Sequence, residues 1–464
     1  MKTSFSASDI QRKCWLTNLQ LAEASLPELL MLKFTRPVVN IEALQSSLAQ
    51  LSKRHESLRT VFFEHEGTLM QDIRDFEHEV FRMETYQIKT KDDEAFVEAA
   101  CAKGNRQLRD LQRLPLFKTY LFELSDGSHL FILFIHHIIS DIPSLSILKD
   151  DINSFYAAAV REEEPRIPPL KCQLKDFSEQ LLKIQLNGRH SLSSFWKEKF
   201  GQLPAHVDWH PAFDTFSRMT GVERPVQQYA DKTSVLYALQ NGPTAEYGVK
   251  FDDQTAAGIK LFSKNNRTGV SSLFYSSLFI LLSALTRSAR IIIASPISLR
   301  GAYPQAAELI ANLNAGIYLT GCPDPEESVE AMTTRTYHQF IKAYRRGITD
   351  HAIFDFDTDL LRINTLVFMN FQNRNIIGKP AEHNFVEGHR KSGNTYYMLT
   401  FDIMEYADVF HCSWYYNSWM FQPGFIEWMA GQHSRIIRLM INEPGLKTGR
   451  LTASFAPADL TAQA

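Results

Sequence analysis

Two adjacent histidines, His136 and His137, are followed by Asp141 within the stretch HLFILFIHHIISDIPSLSILKDDINSFY, residues 129–156. An imidazole, with an ordinary pKa of about 6.5, is well suited to take a proton from an attacking nucleophile at neutral pH. His129 to Ile135 is almost wholly apolar and predicts a strand buried on both faces. Beyond the pair, Pro143 has the fixed φ of a first helical position and Asp141 stands where an N-cap would. Leu145, Leu148, Ile152 and Phe155 then recur at helical spacing. The local picture is strand, histidine pair, tight turn, helix. Neighbouring strand residues point to opposite faces, so one imidazole reaches a given cavity and the other belongs to the scaffold. Asp141 either orients a ring or pairs with an arginine elsewhere and holds the turn. N–H groups at the helix start are placed to stabilise an oxyanion. A lone histidine at a strand end is most often a satisfied polar residue, so this pattern needs support from the rest of the chain. Adjacent histidines diverge and no cysteine lies at suitable spacing, so no metal site is expected.

The elements that position this turn are spread over 464 residues, more than one core usually holds, and two lobes are expected. A net charge of −3 without a sustained Lys/Arg run argues against a nucleic-acid partner. The five cysteines are scattered with no CxxC pair, as in reduced cytoplasmic proteins. The N-terminus lacks the apolar core of a signal peptide. Ser271 to Leu285 is apolar but shorter than a span and studded with serines, which predicts a buried helix rather than a membrane segment.

Periodicity predicts helices over 41–54, 93–111, 174–186, 192–200, 253–265, 271–285 and 424–442. It predicts strands over 29–34, 116–124, 234–239, 247–251, 290–294, 365–370, 395–406 and 411–416, and a hairpin with its turn at residues 65–67. The Asp126-Gly127 pair predicts a second hairpin turn ahead of the histidine strand. The polar, proline-rich stretch 161–169 is the natural crossover. The lobes are therefore assigned to 1–170 and 171–450, with 451–464 as a linker or tail. Residues 203–233 show little periodicity and read as loop.

Several segments, in order, share a family pattern. Gln11 and Trp15 follow a serine-rich start, and Arg54-His55-Glu56-Ser57-Leu58-Arg59-Thr60-Val61-Phe62 fits RHExLRTxF. Physically, this second stretch is a helix end feeding a strand, with charges that can pair locally. HHIISDIPS follows, then Leu174-Lys175-Asp176-Phe177, Phe195-Trp196, Ser295-Pro296-Ile297-Ser298-Leu299-Arg300, Ile353-Phe354-Asp355 and Tyr415-Tyr416-Asn417 with Met420-Phe421. The chain resembles the condensation domains of nonribosomal peptide synthetases, in the chloramphenicol-acetyltransferase-like superfamily with its HHxxxDG motif. The resemblance runs from about residue 6 to 445.

That resemblance implies an α/β (α+β) fold of two chloramphenicol-acetyltransferase-like lobes in a V-shaped pseudo-dimer, with a tunnel between them. It implies an acyltransferase that joins an acyl or aminoacyl thioester to an amine acceptor, forming an amide, in a stand-alone or chain-initiating role. The donor would arrive on an acyl or peptidyl carrier protein as a phosphopantetheine thioester, with no other cofactor. The protein is expected to be a cytoplasmic monomer. His137 would act on the nucleophile with His136 beside it. Arg300 would lock Asp141 in a structural pair, and Ser140, Ile142, Ser298 and Asn417 would line the substrate. Two other readings stay open: an acyltransferase using an acyl-coenzyme A, and a catalytically silent domain that docks carriers. One departure is plain: Ile142 stands where the motif has glycine. Glycine permits φ > 0 and close backbone approach, so Ile142 either forces another turn geometry or narrows the cavity.

Overall fold

The computed structural model describes residues 4–19, 27, 29–88, 93–183, 208–223, 238, 242–346, 367–373, 388–391, 397–406, 409–453 and 455. The expected helix over 192–200 with Phe195-Trp196, nearly all of the strand from Ser234, and the segment Ile353-Phe354-Asp355 lie outside them.

The chain divides into two compact units. The first takes in the chain as far as Gly188 and, from much further along, Ser298–Ala315. Residues 171–183, expected at the start of the second lobe, belong with it.

In the first unit β1 (Ser4–Ser6) leads to α1 (Asp9–Leu19), β2 (Leu29–Arg36) and α2 (Ile41–Arg54). Next come β3 (Thr60–His65), β4 (Thr68–Ile73), β5 (Glu84–Gln87), α3 (Asp93–Asn105), β6 (Phe117–Glu123) and β7 (His129–His136). The helix α4 (Ile142–Val160) and a helix over 174–183, here α5, complete it. The expected hairpin turn is closed by Gly67, at φ 72°, and the turn into β7 by Gly127, at φ 81°, conformations that glycine adopts without strain. A four-stranded sheet runs β2-β7-β6-β5, so the histidine strand is hydrogen-bonded on both sides, antiparallel to β2 and β6. Phe131, Leu133 and Ile135 of β7 are fully buried, and α4 packs on α2 and β2 through Leu145, Leu148 and Ile152.

The second unit holds α6 (His210–Thr220), β8 (Thr244–Lys250), α7 (Asp253–Asn265), α8 (Val270–Thr286), β9 (Ile291–Ser298) and β10 (Asn314–Gly321). It continues through α9 (Val329–Arg346), β11 (Val367–Asn373), β12 (Gly388–Lys391), β13 (Leu399–Glu405), β14 (Phe410–Asn417), α10 (Pro423–Asn442) and α11 (Thr448–Ala453). Its sheet runs β10-β9-β11-β13-β14-β8-β12, and β13 pairs antiparallel with β14. The apolar α8 is a core helix, with Leu273 to Leu282 buried against the sheet and its neighbouring helices. Among the described residues no single helix is long and apolar enough to cross a membrane. The loop expected over 203–233 is corrected by α6: Pro211 lies in its first turn and Gly221, at φ 71°, closes it. Its buried stripe, Ala212, Phe213 and Phe216, is too short to stand out as a period in a proline-rich stretch.

Candidate active site

Strand β7 ends at His136, and a single turn of 3-10 helix, His137–Ile139, follows before α4 begins at Ile142. This turn separates the two imidazoles. His136 is 1 % exposed, and its Nδ1 accepts the Ile138 N–H at 3.0 Å. Its Nε2 therefore carries the proton and faces Asn18 Oδ1 of α1 at 3.5 Å. Burial, with His137 adding to it, lowers its pKa to about 3, so His136 is a neutral scaffold residue at any physiological pH.

His137 is only partly buried, and its Nδ1 lies 2.5 Å from the Ser140 carbonyl oxygen. A carbonyl can only accept, so Nδ1 carries the proton. In the neutral ring the lone pair then lies on Nε2, the arrangement a general base requires. Of the pair, His137 is thus the residue fitted for chemistry.

Asp141 is fully buried and caps α4. Its Oδ1 accepts the Ser144 N–H at 3.0 Å, so that N–H of the helix start is held by the cap. Arg300 closes on the same carboxylate, with Nη2 at 2.8 Å from Oδ1 and Nε at 3.2 Å from Oδ2. The guanidinium also donates to the carbonyls of Ala306, Ala307 and Leu309, at 2.8, 3.1 and 2.8 Å. The Leu313 N–H completes Asp141 Oδ2 at 3.3 Å. One buried ion pair thus joins the histidine turn to the segment Ser298–Ala315.

The Condensation domain family model matches residues 1–313 of this sequence, two motif histidines and Asp141 included. The chain belongs to the condensation-domain family. It is 24% identical over 440 residues to nonribosomal peptide synthetase kk1B of Curvularia clavata, covering 91% of this chain and 3% of that protein. It is 23% identical over 433 residues to bacitracin synthase 3 of Bacillus licheniformis, covering 87% of this chain and 6% of that protein. This condensation domain therefore spans a small part of the curated relatives it matches. Among solved structures, the X-domain in complex with OxyB from teicoplanin biosynthesis superposes with a TM-score of 0.76 at 16% identity, covering 99% and 97% of the two chains. The epimerization domain from the third module of tyrocidine synthetase B superposes at 0.71 with 16% identity, covering 95% and 98%. These likenesses establish the chloramphenicol-acetyltransferase-like fold.

The four other expected site residues of the condensation domain each have a different place. Ser140 is fully buried, and its hydroxyl donates to the His136 carbonyl at 2.9 Å, so that side chain is used within the turn. Ser298 ends β9, and its Oγ accepts the Arg300 N–H at 3.3 Å, which helps aim the arginine. Asn417 belongs to the second unit, where its amide donates to the Ala238 carbonyl at 2.6 Å and accepts the Trp419 N–H at 3.0 Å. Ile142 is the first residue of α4 with an ordinary negative φ, so the motif position needs no left-handed backbone here. Of the two consequences expected of Ile142, another turn geometry is thus unnecessary.

Two features of the site escaped the sequence. The charges of the RHE stretch do not pair locally: His55 Nε2 meets Asp151 Oδ2 of α4 at 2.7 Å, Arg54 Nε meets it at 3.0 Å, and Glu56 binds Lys175 of α5 at 2.6 Å. Arg54 and His55 tie the end of α2 to α4, the helix that follows the histidine turn, and Glu56 ties the next turn to α5. Ser144 was also passed over. Its signal was its place three residues after the cap, where a capping box closes.

Proposed function

We propose that this condensation domain joins an acyl or aminoacyl group, held as a phosphopantetheine thioester on a carrier protein, to an amine acceptor. The observation that carries this reading is the Nδ1–H of His137 bonded to the Ser140 carbonyl, which puts the lone pair of the neutral ring on Nε2. The acceptor nitrogen attacks the thioester carbonyl, Nε2 accepts or holds a proton of that nitrogen, and the pantetheine thiol leaves protonated. His136, neutral and buried, supports the strand end. Asp141 and Arg300 keep the turn fixed and take no proton. No cofactor beyond the carrier's pantetheine enters the reaction. Carrier proteins as partners are in keeping with the peptide synthetases among the relatives. A cytoplasmic setting is in keeping with cysteines that are all free thiols.

A second reading, a domain that docks carriers without turnover, is favoured by Ile142 at the motif glycine. One assay separates the two. Thiol release is followed from acyl thioesters on carrier protein and on coenzyme A, with mixed amines and alcohols, and products are identified by mass. Release that requires an amine and falls by about 10²–10⁴ in His137→Ala supports the amide-forming enzyme. Release unchanged in that variant removes His137 from the reaction, and carrier binding without release establishes the docking role. Release only from coenzyme A assigns a free-standing acyltransferase.

A further inference from the structure

We propose that Ser144 is a positioning residue for His137, acting through the single peptide plane between Ser140 and Asp141. The carbonyl of that peptide accepts His137 Nδ1–H at 2.5 Å. Its N–H, on the opposite edge, donates to Ser144 Oγ at 3.1 Å. A trans peptide is rigid and planar, with C=O and N–H pointing apart, so an anchor on the N–H sets where the carbonyl points. Tilting the plane would withdraw the carbonyl that assigns the proton to Nδ1.

Ser144 is built to be such an anchor. It is fully buried, and its hydroxyl sits 2.6 Å from Asp141 Oδ1 and 3.1 Å from the Ala311 carbonyl. The one hydroxyl proton goes to the nearer, charged acceptor. The oxygen in turn receives the Asp141 N–H and, at 3.2 Å, the Ala311 N–H on its two lone pairs, with Arg300 Nη2 beside it at 3.1 Å. The serine oxygen is therefore pinned by two backbone donors on two separate stretches of chain. A capping serine needs only the reciprocal bonds to Asp141; the contacts to Arg300 and Ala311 immobilise it beyond what capping requires. The inference rests on the reading of His137 as the group that acts on the nucleophile, and its test has a readout independent of turnover.

The test is the tautomer of His137, read from imidazole ¹⁵N shifts in histidine-labelled protein and assigned by loss of the signal in His137→Gln. The full chain is expected to show His137 as the Nδ1–H tautomer, and an Nε2–H tautomer there overturns the proposal without any variant. In Ser144→Ala the resonance is expected to move towards a mixture of tautomers, with kcat lower by about tenfold, a part of what a positioned base supplies, and KM within about twofold. Ser144→Thr keeps the oxygen and should restore the tautomer. A folded Ser144→Ala or Ser144→Cys with an unchanged His137 resonance, whatever its melting temperature, shows a structural serine only and overturns the proposal. Absence of aminolysis in the parent protein would count against the proposed reaction and leave the tautomer result standing.

Discussion

Arg300 reaches Asp141 across 159 residues of chain and engages both carboxylate oxygens, with the aspartate fully buried and the arginine side chain 10 % exposed. A pair of this kind fixes geometry more than it stabilises, because each partner was taken from water to form it. Removing one partner strands the other. Arg300→Met is expected to lower unfolding free energy by about 3–5 kcal/mol, measured by urea denaturation. Asp141→Asn with Arg300→Met, which leaves no buried charge, should recover more than half of that loss.

Asp151 is held by Arg54 and His55, and the His55 ring is 1 % exposed. Asp151→Ala leaves that buried imidazole without its acceptor. The expected loss is about 1–3 kcal/mol, the penalty of one unsatisfied buried polar group, seen as a lower midpoint in thermal or urea unfolding. A midpoint unchanged within error would mean that the RHE stretch does not hold α4.

His136 and His433 are both buried with pKa values lowered to about 3, and burial is the leading cause for each. His433 lies under the second sheet, with Nε2 at 2.8 Å from Ser277 Oγ and its ring edge-on to Phe401 and Trp414. The folded state keeps both rings neutral, whereas the unfolded chain protonates them below about pH 6.5. Their stabilisation is therefore complete above that pH and is lost as pH falls towards 3. Between pH 7 and pH 5 each ring is expected to cost about 2 kcal/mol of stability through linkage. The lowered pKa of buried His55 acts in the same direction. Denaturation curves at pH 5, 6 and 7 check this, and His433→Gln, able to bond Ser277, should flatten the dependence.

Ile142 occupies the first position of α4 and is partly exposed. Ile142→Gly restores the family residue at a cost of about 0.5–1 kcal/mol in helix stability. If the isoleucine restricts the acceptor, the variant should accept bulkier amines with higher kcat/KM while the donor preference stays the same. An identical acceptor profile would free Ile142 of any role in selection.

The strand, the histidine pair and the helix after it were legible because each is a local signal. Six consecutive apolar residues make a buried strand, an aspartate before a proline makes a cap, and a stripe at i, i+3, i+4 makes a helix. Helices Ile41–Arg54 and Asp253–Asn265 could be bounded residue by residue for the same reason. The ordered series of motifs, with Arg300 among them, identified the family. Residue patterning alone could not divide the labour between His136 and His137, since strand alternation says only that they differ, and it was the family resemblance that put His137 at the nucleophile.

That division was decided by the turn. The chain leaves β-geometry at His137, so one ring meets the Ile138 N–H and Asn18 while the other meets the Ser140 carbonyl. The partners of Asp151 and Ser144 were likewise invisible, because 96 residues separate His55 from Asp151 and 167 separate Ser144 from Ala311. Local periodicity reports what each segment can bury, and it determined the elements and the residue types fit for acid–base chemistry. Hydrogen bonds between distant segments depend on how those elements pack, so the proton's place on His137 and the partners of Ser144 belong to the tertiary structure alone, whereas the Asp141–Arg300 pair was expected from the family resemblance and the structure supplied its geometry.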